Sequence, residues 1–224
     1  MKILEAIEIS KVYQEGAEKV DALKGISLDL EMNEIVTLEG PSGSGKTTFL
    51  SIVGCLLSPS SGSLVIEGQE VNGRDPHALT RVRRDSIGFV FQHYNLFPAL
   101  TVLENVLYAL QVRGKRGSVF EREARHILEE VGLGQRLSFF PAQLSGGEKQ
   151  RVAIARALSG GSRIILADEP TANLDSHVGL EILAIFKRLA KEENRTLLIV
   201  THDPTVRQMS DRVIRMRDGK LFND

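Results

Sequence analysis

Between a run of apolar residues and a helix-like segment, the chain reads Gly40, Pro41, Ser42, Gly43, Ser44, Gly45, Lys46, Thr47, Thr48. Glycines at this spacing let the backbone curl so that consecutive N–H groups point into one concavity, which is what a phosphate group requires. A helix beginning at the end of such a loop adds partial positive charge at the same place. In that setting Lys46 reaches the outer phosphates of a nucleotide and the Thr47 hydroxyl is a ligand for Mg²⁺. The alternative is an ordinary glycine turn with an exposed lysine. The strand-like residues 35–38 before the loop and the helical spacing of 47–53 after it favour the phosphate loop.

Two acids, Asp168 and Glu169, close the apolar run Ile164, Ile165, Leu166, Ala167. A continuous apolar run is the mark of a buried parallel strand, and ligands of α/β sheets bind at the carboxyl ends of such strands. Adjacent acids after a strand are more often a solvated turn. With a phosphate loop upstream, Asp168 is expected to hold Mg²⁺ through water and Glu169 to orient or deprotonate a water attacking the γ-phosphate. His202 follows the next apolar run, 196–201, and so falls at the same sheet edge, where it can touch that phosphate. His77, His93, His126 and His177 have no such placement and read as structural.

A second glycine-bearing run, Leu144, Ser145, Gly146, Gly147, Glu148, Lys149, Gln150, Arg151, precedes the acids. Ser145 and Glu148 have the spacing of a capping box, in which each side chain satisfies a backbone N–H of the other at a helix start. Two glycines inside a helix's first turn cost propensity. That cost is explained if a ligand must approach the backbone closely, and a capped helix start is also what an anion favours.

The elements that must position these groups follow the same logic. Strands are expected at 3–9, 27–39 (broken by a tight turn at Asn33 and Glu34), 63–67, 87–91, 163–168, 196–201 and 212–216. From about 101 to 158 the pattern turns helical: Leu103, Val106, Leu107 and Leu110 recur at i, i+3, i+4, i+7, and 119–131 and 146–158 are also helix-like. A strand-rich core interrupted by helices at roughly 93–160 results, with 113–118 as the flexible-looking linker. The 224 residues suit one substantial core. With 28 basic against 29 acidic residues there is no basic field of the kind that binds nucleic acid non-specifically. No apolar run is long enough to cross a bilayer, Glu5 and Glu8 interrupt any signal-peptide pattern, and the single cysteine, Cys55, suits a reducing compartment. A cytoplasmic α/β protein is expected.

Taken in order, residues 40–48, Gln92 after a strand, 144–148, the pair Asp168 and Glu169, the run Asn173, Leu174, Asp175, and His202 resemble the ATP-binding cassette family over essentially the whole chain. The resemblance implies one P-loop NTPase domain over 1–224. Its parts would be a RecA-like core with a mostly parallel sheet and an antiparallel β N-terminal subdomain (1–92 and 161–224), and an inserted α-helical subdomain (93–160). It further implies that Tyr13 stacks on adenine, that Gln92 contacts Mg²⁺ and the water and ties the site to a membrane partner, and that Asp175 bridges two subunits. Ser145, Gly146 and Gly147, with Glu148 in the same motif, would donate hydrogen bonds to the γ-phosphate of ATP held by a second copy. The implied assembly is a head-to-tail, ATP-dependent homodimer on the inner face of the membrane, bound to an integral membrane permease and hydrolysing ATP to power transport. Residues 93–100 would lie in the groove that receives the permease; their aromatic and apolar side chains are equally compatible with a core.

Within the family, the run from Ile87 to Val106, the compact length and the sequence TANLDS are similar to the ATPases of the macrolide-exporter and lipoprotein-release type and their cell-division relative. The chain departs from that group at Ala172, where glycine is common, and at Lys149, where glutamine is common. Polar amino-acid importers share much of the same region, and a non-transport cassette acting in cell-division signalling or on nucleic acid or ribosomes is the remaining alternative. Neither the long coiled-coil insertion nor the fused second cassette usual in the last class is present.

Overall fold

The computed structural model describes residues 1–15, 18–71, 73, 75–114 and 117–222. Among the described residues, ten strands form two sheets. Strands β1 (Lys2–Glu15), β2 (Glu18–Glu31), β4 (Ser61–Ile66) and β5 (Gln69–Val71) make an antiparallel sheet in the order β2-β1-β4-β5. The second sheet has the order β10-β9-β3-β8-β7-β6. It is built from β3 (Ile35–Glu39), β6 (Ile87–Val90), β7 (Ile164–Asp168), β8 (Thr196–Val200), β9 (Arg212–Arg217) and β10 (Lys220–Phe222), all parallel except β10 against β9.

The mixed sheet is the middle layer, and its alternation shows why. Along β7 and β8, Ile165, Ala167, Leu197 and Ile199 join one apolar cluster, while Ile164, Leu166, Leu198 and Val200 join another, all fully buried. Strands apolar on both faces need cover on both. One face packs on the antiparallel sheet and on helix α1 (Lys46–Val53). The other carries α3 (Val102–Val112), α4 (Ser118–Glu130), α5 (Gly146–Leu158) and α6 (Ser176–Lys191). Helices α3, α4 and α5 pack on one another, and α5 also reaches β6 and α6. Residues 93–160 contain no strand among the described residues.

Several expectations need correction. The segment 27–39 is two strands in different sheets: β2 ends at Glu31 and β3 begins at Ile35. Between them Asn33 takes a left-handed conformation, φ 63°. Strand β1 runs to Glu15 rather than ending at residue 9, because the outer half of the β1–β2 ribbon is solvated and lacks the apolar alternation that marks a strand. Three α-helices of the described residues lie outside the expected set, the shortest being α7 (Pro204–Arg207). In α2 (Pro76–Ser86) only Leu79 and Ser86 are buried, which leaves little apolar periodicity to read; its start signals, the Asp75 cap and Pro76 in the first turn, are strong. Helix α6 is capped by Asp175, whose carboxylate accepts from the Val178 N–H. Finally, Arg113 is not linker: its guanidinium donates to Ile87 O, Gly160 O and Ser162 Oγ, pinning the end of α3 to the core. Residues 115–116 of the expected linker lie outside the described residues.

The junction between β6 and α5 is tight enough to test. A Cβ on Gly88 would stand 2.2 Å from the Ala157 carbonyl oxygen, a backbone atom that cannot swing aside. Gly88→Ala is expected to lower unfolding free energy by about 2 kcal/mol or more in a urea melt, in the range of overpacking penalties; an unchanged midpoint would contradict the packing described.

Candidate functional site

The parallel strands β3, β6, β7 and β8 deliver their carboxyl ends to one edge of the sheet, and the chemistry-bearing residues emerge there. From β3 the chain enters the glycine loop and then α1. Gly45 caps α1 with φ 104°, and a Cβ at Gly40 (φ 156°) would lie 2.0 Å from the Met216 carbonyl. The loop therefore folds against β9 as only glycine allows. Lys46 is nearly buried, and its ammonium donates to the carbonyls of Gly40 (2.8 Å) and Pro41 (2.9 Å), which holds it inside the curve of the loop. Together with the first N–H groups of α1, this concentrates positive potential at one point.

Facing that point, Thr47 Oγ1 donates to Asp168 Oδ1 at 3.4 Å. Burial lifts the Asp168 carboxyl above its ordinary range, and the neighbouring Glu169 charge adds to the rise while the Thr47 hydroxyl opposes it. Glu169 has φ 45°, a left-handed conformation costly for a non-glycine residue. Its N–H donates to Val200 O (2.8 Å), which fixes this sharp exit from β7 against the end of β8. Glu169 Oε1 lies 2.9 Å from His202 Nδ1, and Oε2 is buried without a hydrogen-bond partner. An acceptor oxygen buried beside the phosphate loop is suited to receive a proton from a bound water. Gln92, just beyond β6, lines the same cleft, and its carbonyl accepts from Asn173 Nδ2 at 3.0 Å.

The cleft holds about 580 Å³ and gathers Ser42, Gly43, Gly45, Lys46, Thr47, Thr48, Gln92, Asp168, Glu169 and His202. Gly40, Pro41 and the buried Ser44 form the back of the loop rather than the cleft wall. Thr47 and Asp168 present hard oxygen donors, and no cluster of three His, Cys, Asp or Glu exists among the described residues. Such a sparse oxygen set fits Mg²⁺, which keeps waters and shares its shell with phosphates, better than a metal needing an all-protein cage.

Ser145, Gly146, Gly147, Glu148 and Asp175 are not part of that cleft. Ser145 caps α5 as its spacing predicts: its N–H donates to Glu148 Oε2 (2.9 Å) and its Oγ accepts from the Glu148 N–H (3.3 Å). The glycines are explained by crowding as well as by access, since a Cβ on Gly147 would stand 2.3 Å from Val178 Cγ1. The Arg136 guanidinium, 2.9 Å from Glu148 Oε1, and next the Ser145 N–H hold the Glu148 carboxyl below the usual carboxylate range. Tyr13 is exposed on β1, opposite Val20, a residue of the cleft wall. In 93–100, Leu96 packs on the core while Phe97 is exposed and meets Tyr108 edge-on at 4.9 Å.

Other contributors carry no motif. The cleft's remaining wall is Val20, Asp21, Ala22 and Lys24 from β2, Val200 at the end of β8, and Asp218 and Gly219 from the β9–β10 turn; the Asp-Gly pair there is a readable hairpin signal. Buried Asn105 binds Phe97 N and O, Leu100 O and Thr101 O, shaping the loop that exposes Phe97. Asp203 accepts from the Thr171 hydroxyl (3.0 Å) and the Thr205 N–H (2.8 Å), joining the segment after His202 to the loop after Glu169.

Comparison with known proteins gives a consistent set of relatives. The ABC transporter family model matches residues 23–172. An ABC transporter ATP-binding protein of Thermotoga maritima is 47% identical over 220 residues, covering 98% of this chain and 94% of the relative. The macrolide export ATP-binding/permease protein MacB of Shigella flexneri is 45% identical over 222 residues; the chain spans only 34% of that longer protein. Among solved structures, a dimeric ATP-binding cassette in a post-hydrolysis state, bound to ADP and Pi, superposes with a TM-score of 0.91 at 42% identity, covering 98% of this chain and 97% of that one.

Because the folded chain raises the Asp168 pKa, the ionised carboxylate costs stability at every pH above that raised value. The cost fades as pH falls toward about 4, where an unfolded aspartate itself takes up a proton. Asp168→Asn is therefore expected to melt at a higher temperature than the parent at pH 7 without nucleotide, with the gap narrowing toward pH 4.5. Equal melting temperatures at pH 7 would contradict the buried-carboxylate assignment.

Proposed function

Starting from the finding that the chain belongs to the ABC transporter family, we propose that it is the ATP-hydrolysing subunit of a membrane transporter of the macrolide-exporter type. Two copies close head to tail around two ATP molecules, and the closure drives an integral membrane permease. The observation that carries this reading is the incomplete cleft: the phosphate loop, Asp168, Glu169 and His202 converge, while the capped, glycine-opened start of α5 lies elsewhere on the same chain. A second copy can supply it. The dimeric relative with ADP and Pi supports the pairing, and MacB, named as both ATP-binding protein and permease, supports the membrane partner.

In this mechanism the N–H groups of residues 42–47 and the Lys46 ammonium bind the β- and γ-phosphates, and Tyr13 stacks on the adenine. Thr47, Gln92 and Asp168 would hold Mg²⁺, which would supply neutralisation of phosphate charge. Glu169 Oε2 accepts the proton of the attacking water, and His202, whose Nδ1 lies 2.9 Å from Glu169 Oε1, is the side chain placed to contact the γ-phosphate. Ser145 and the N–H groups of Gly146 and Gly147 complete the donor set from the second copy. Asp175 stands at the start of α6, close behind Asn173, which holds the Gln92 carbonyl, and is assigned to the contact between copies. Gln92 leads into residues 93–100, whose exposed Phe97 and Tyr108 are the surface assigned to the permease. Among the described residues no helix is long and apolar enough to cross a membrane; attachment through the permease, on the cytoplasmic face, is proposed from the likeness to MacB.

Glu169→Gln tests the core of this reading. The variant is expected to bind ATP with parental affinity, lose at least about a hundredfold in hydrolysis, and accumulate as an ATP-bound dimer in sedimentation. Brisk hydrolysis by the variant would remove Glu169 from the role of base.

A further inference from the structure

The capping box that organises the start of α5 brings a complication. Glu148 places its ionised carboxylate on the Ser145 N–H, beside the group that, on the proposed reading, meets the γ-phosphate bound by the other copy. Two negative charges would then approach one another in a seam from which closure expels water, where Coulomb terms grow. A neutral glutamine could cap the same helix without that charge.

Arg136 stands in position to answer it. The loop between α4 and α5 holds its backbone, with Arg136 N–H donating to Leu133 O (2.9 Å) and Phe139 N–H donating to Arg136 O (2.9 Å). The loop itself is tied to α3 through Leu103 N–H to Leu137 O and Val102 N–H to Phe139 O. The guanidinium lies over the Phe139 ring at 4.8 Å and donates Nε–H to Glu148 Oε1. The side chain is thus aimed before any partner arrives.

We propose that Arg136 is a positioning residue for the shared site: by pairing with Glu148 it cancels the negative charge that the capping box brings to the phosphate-facing end of α5, so that this helix start can receive the nucleotide of a second copy. The inference rests on the reading that the Ser145 motif acts across the dimer. It adds that the Arg136–Glu148 pair sets how strongly ATP closes that dimer.

A double-mutant cycle in the Glu169→Gln protein separates this from a packing role. The quantity read is the ATP concentration that gives half-maximal dimer by sedimentation. Arg136→Met keeps a hydrocarbon side chain over Phe139 and removes the charge. With Glu148 present it is expected to raise that concentration about tenfold, the effect of unmasking a close charge at an interface, and the deficit should shrink at about 0.5 M salt. In the Glu148→Gln background the same substitution should cost less than about twofold. An equal cost in both backgrounds would assign Arg136 to packing, and no cost in either would make it irrelevant; both overturn the proposal. Should the Glu169→Gln parent itself fail to dimerise with ATP, the shared-site reading falls first, an outcome distinct from either.

Discussion

On the proposed reading, a polyphosphate anion and two carboxylates share one pocket, and that electrostatic demand organises the molecule. Asp168 is partly buried beside Glu169, so burial and the neighbouring charge raise the energy of its carboxylate, and the pair repels any phosphate near it. The fold answers by facing them with the curved backbone of residues 40–47, the start of α1 and Lys46, whose ammonium is held on the loop's own carbonyls. These positive groups are built from backbone geometry, which is why glycine stands where a Cβ would strike Met216 O.

Parallel strands make the arrangement possible. In a sheet whose strands run the same way, all carboxyl ends fall at one edge, and chain segments far apart in sequence meet there. Glu169 N–H bonded to Val200 O, Asp203 bonded to Thr171, and Asn173 bonded to the Gln92 carbonyl are the stitches between those ends. They tie the phosphate-facing residues to the loop leading into 93–100, and through Gly88 against Ala157 the strand β6 is seated on α5. Whatever shifts at the phosphate is therefore mechanically adjacent to the helices that carry the Ser145 motif.

The parts legible in the sequence are those in which local backbone demands dictate residue type. The loop over 40–47 needs its glycines, the α5 start is capped by Ser145 with Glu148, and the buried strands β7 and β8 follow unbroken apolar runs, all as the sequence reads. What escaped reading depends on long-range partners. The outer half of the β1–β2 ribbon is solvated, with Val12, Tyr13 and Val20 exposed among charged residues, so no apolar alternation marks it. Val20, Ala22 and Lys24 line the cleft only because β2 folds beside the glycine loop. Arg113, at the end of a helix in a polar stretch, reads as linker until Ile87, Gly160 and Ser162 are seen around it. Asp175 resembles a bridging acid by motif, and its service as the α6 cap is visible only once Val178 is placed.

The central claim is that the phosphate loop of one copy and the Ser145 motif of another form a single site, and cross-linking reads it directly. The chain's lone cysteine, Cys55, is buried with its thiol pushed up to about 11, so it stays unreactive toward a short bismaleimide at neutral pH. Ser42→Cys and Ser145→Cys are placed on separate chains, each also carrying Glu169→Gln, and the two are mixed with and without ATP. The account predicts a covalent two-chain product that needs both substitutions and ATP. A chain carrying both cysteines that joins internally, with no ATP-dependent product between chains, would contradict it.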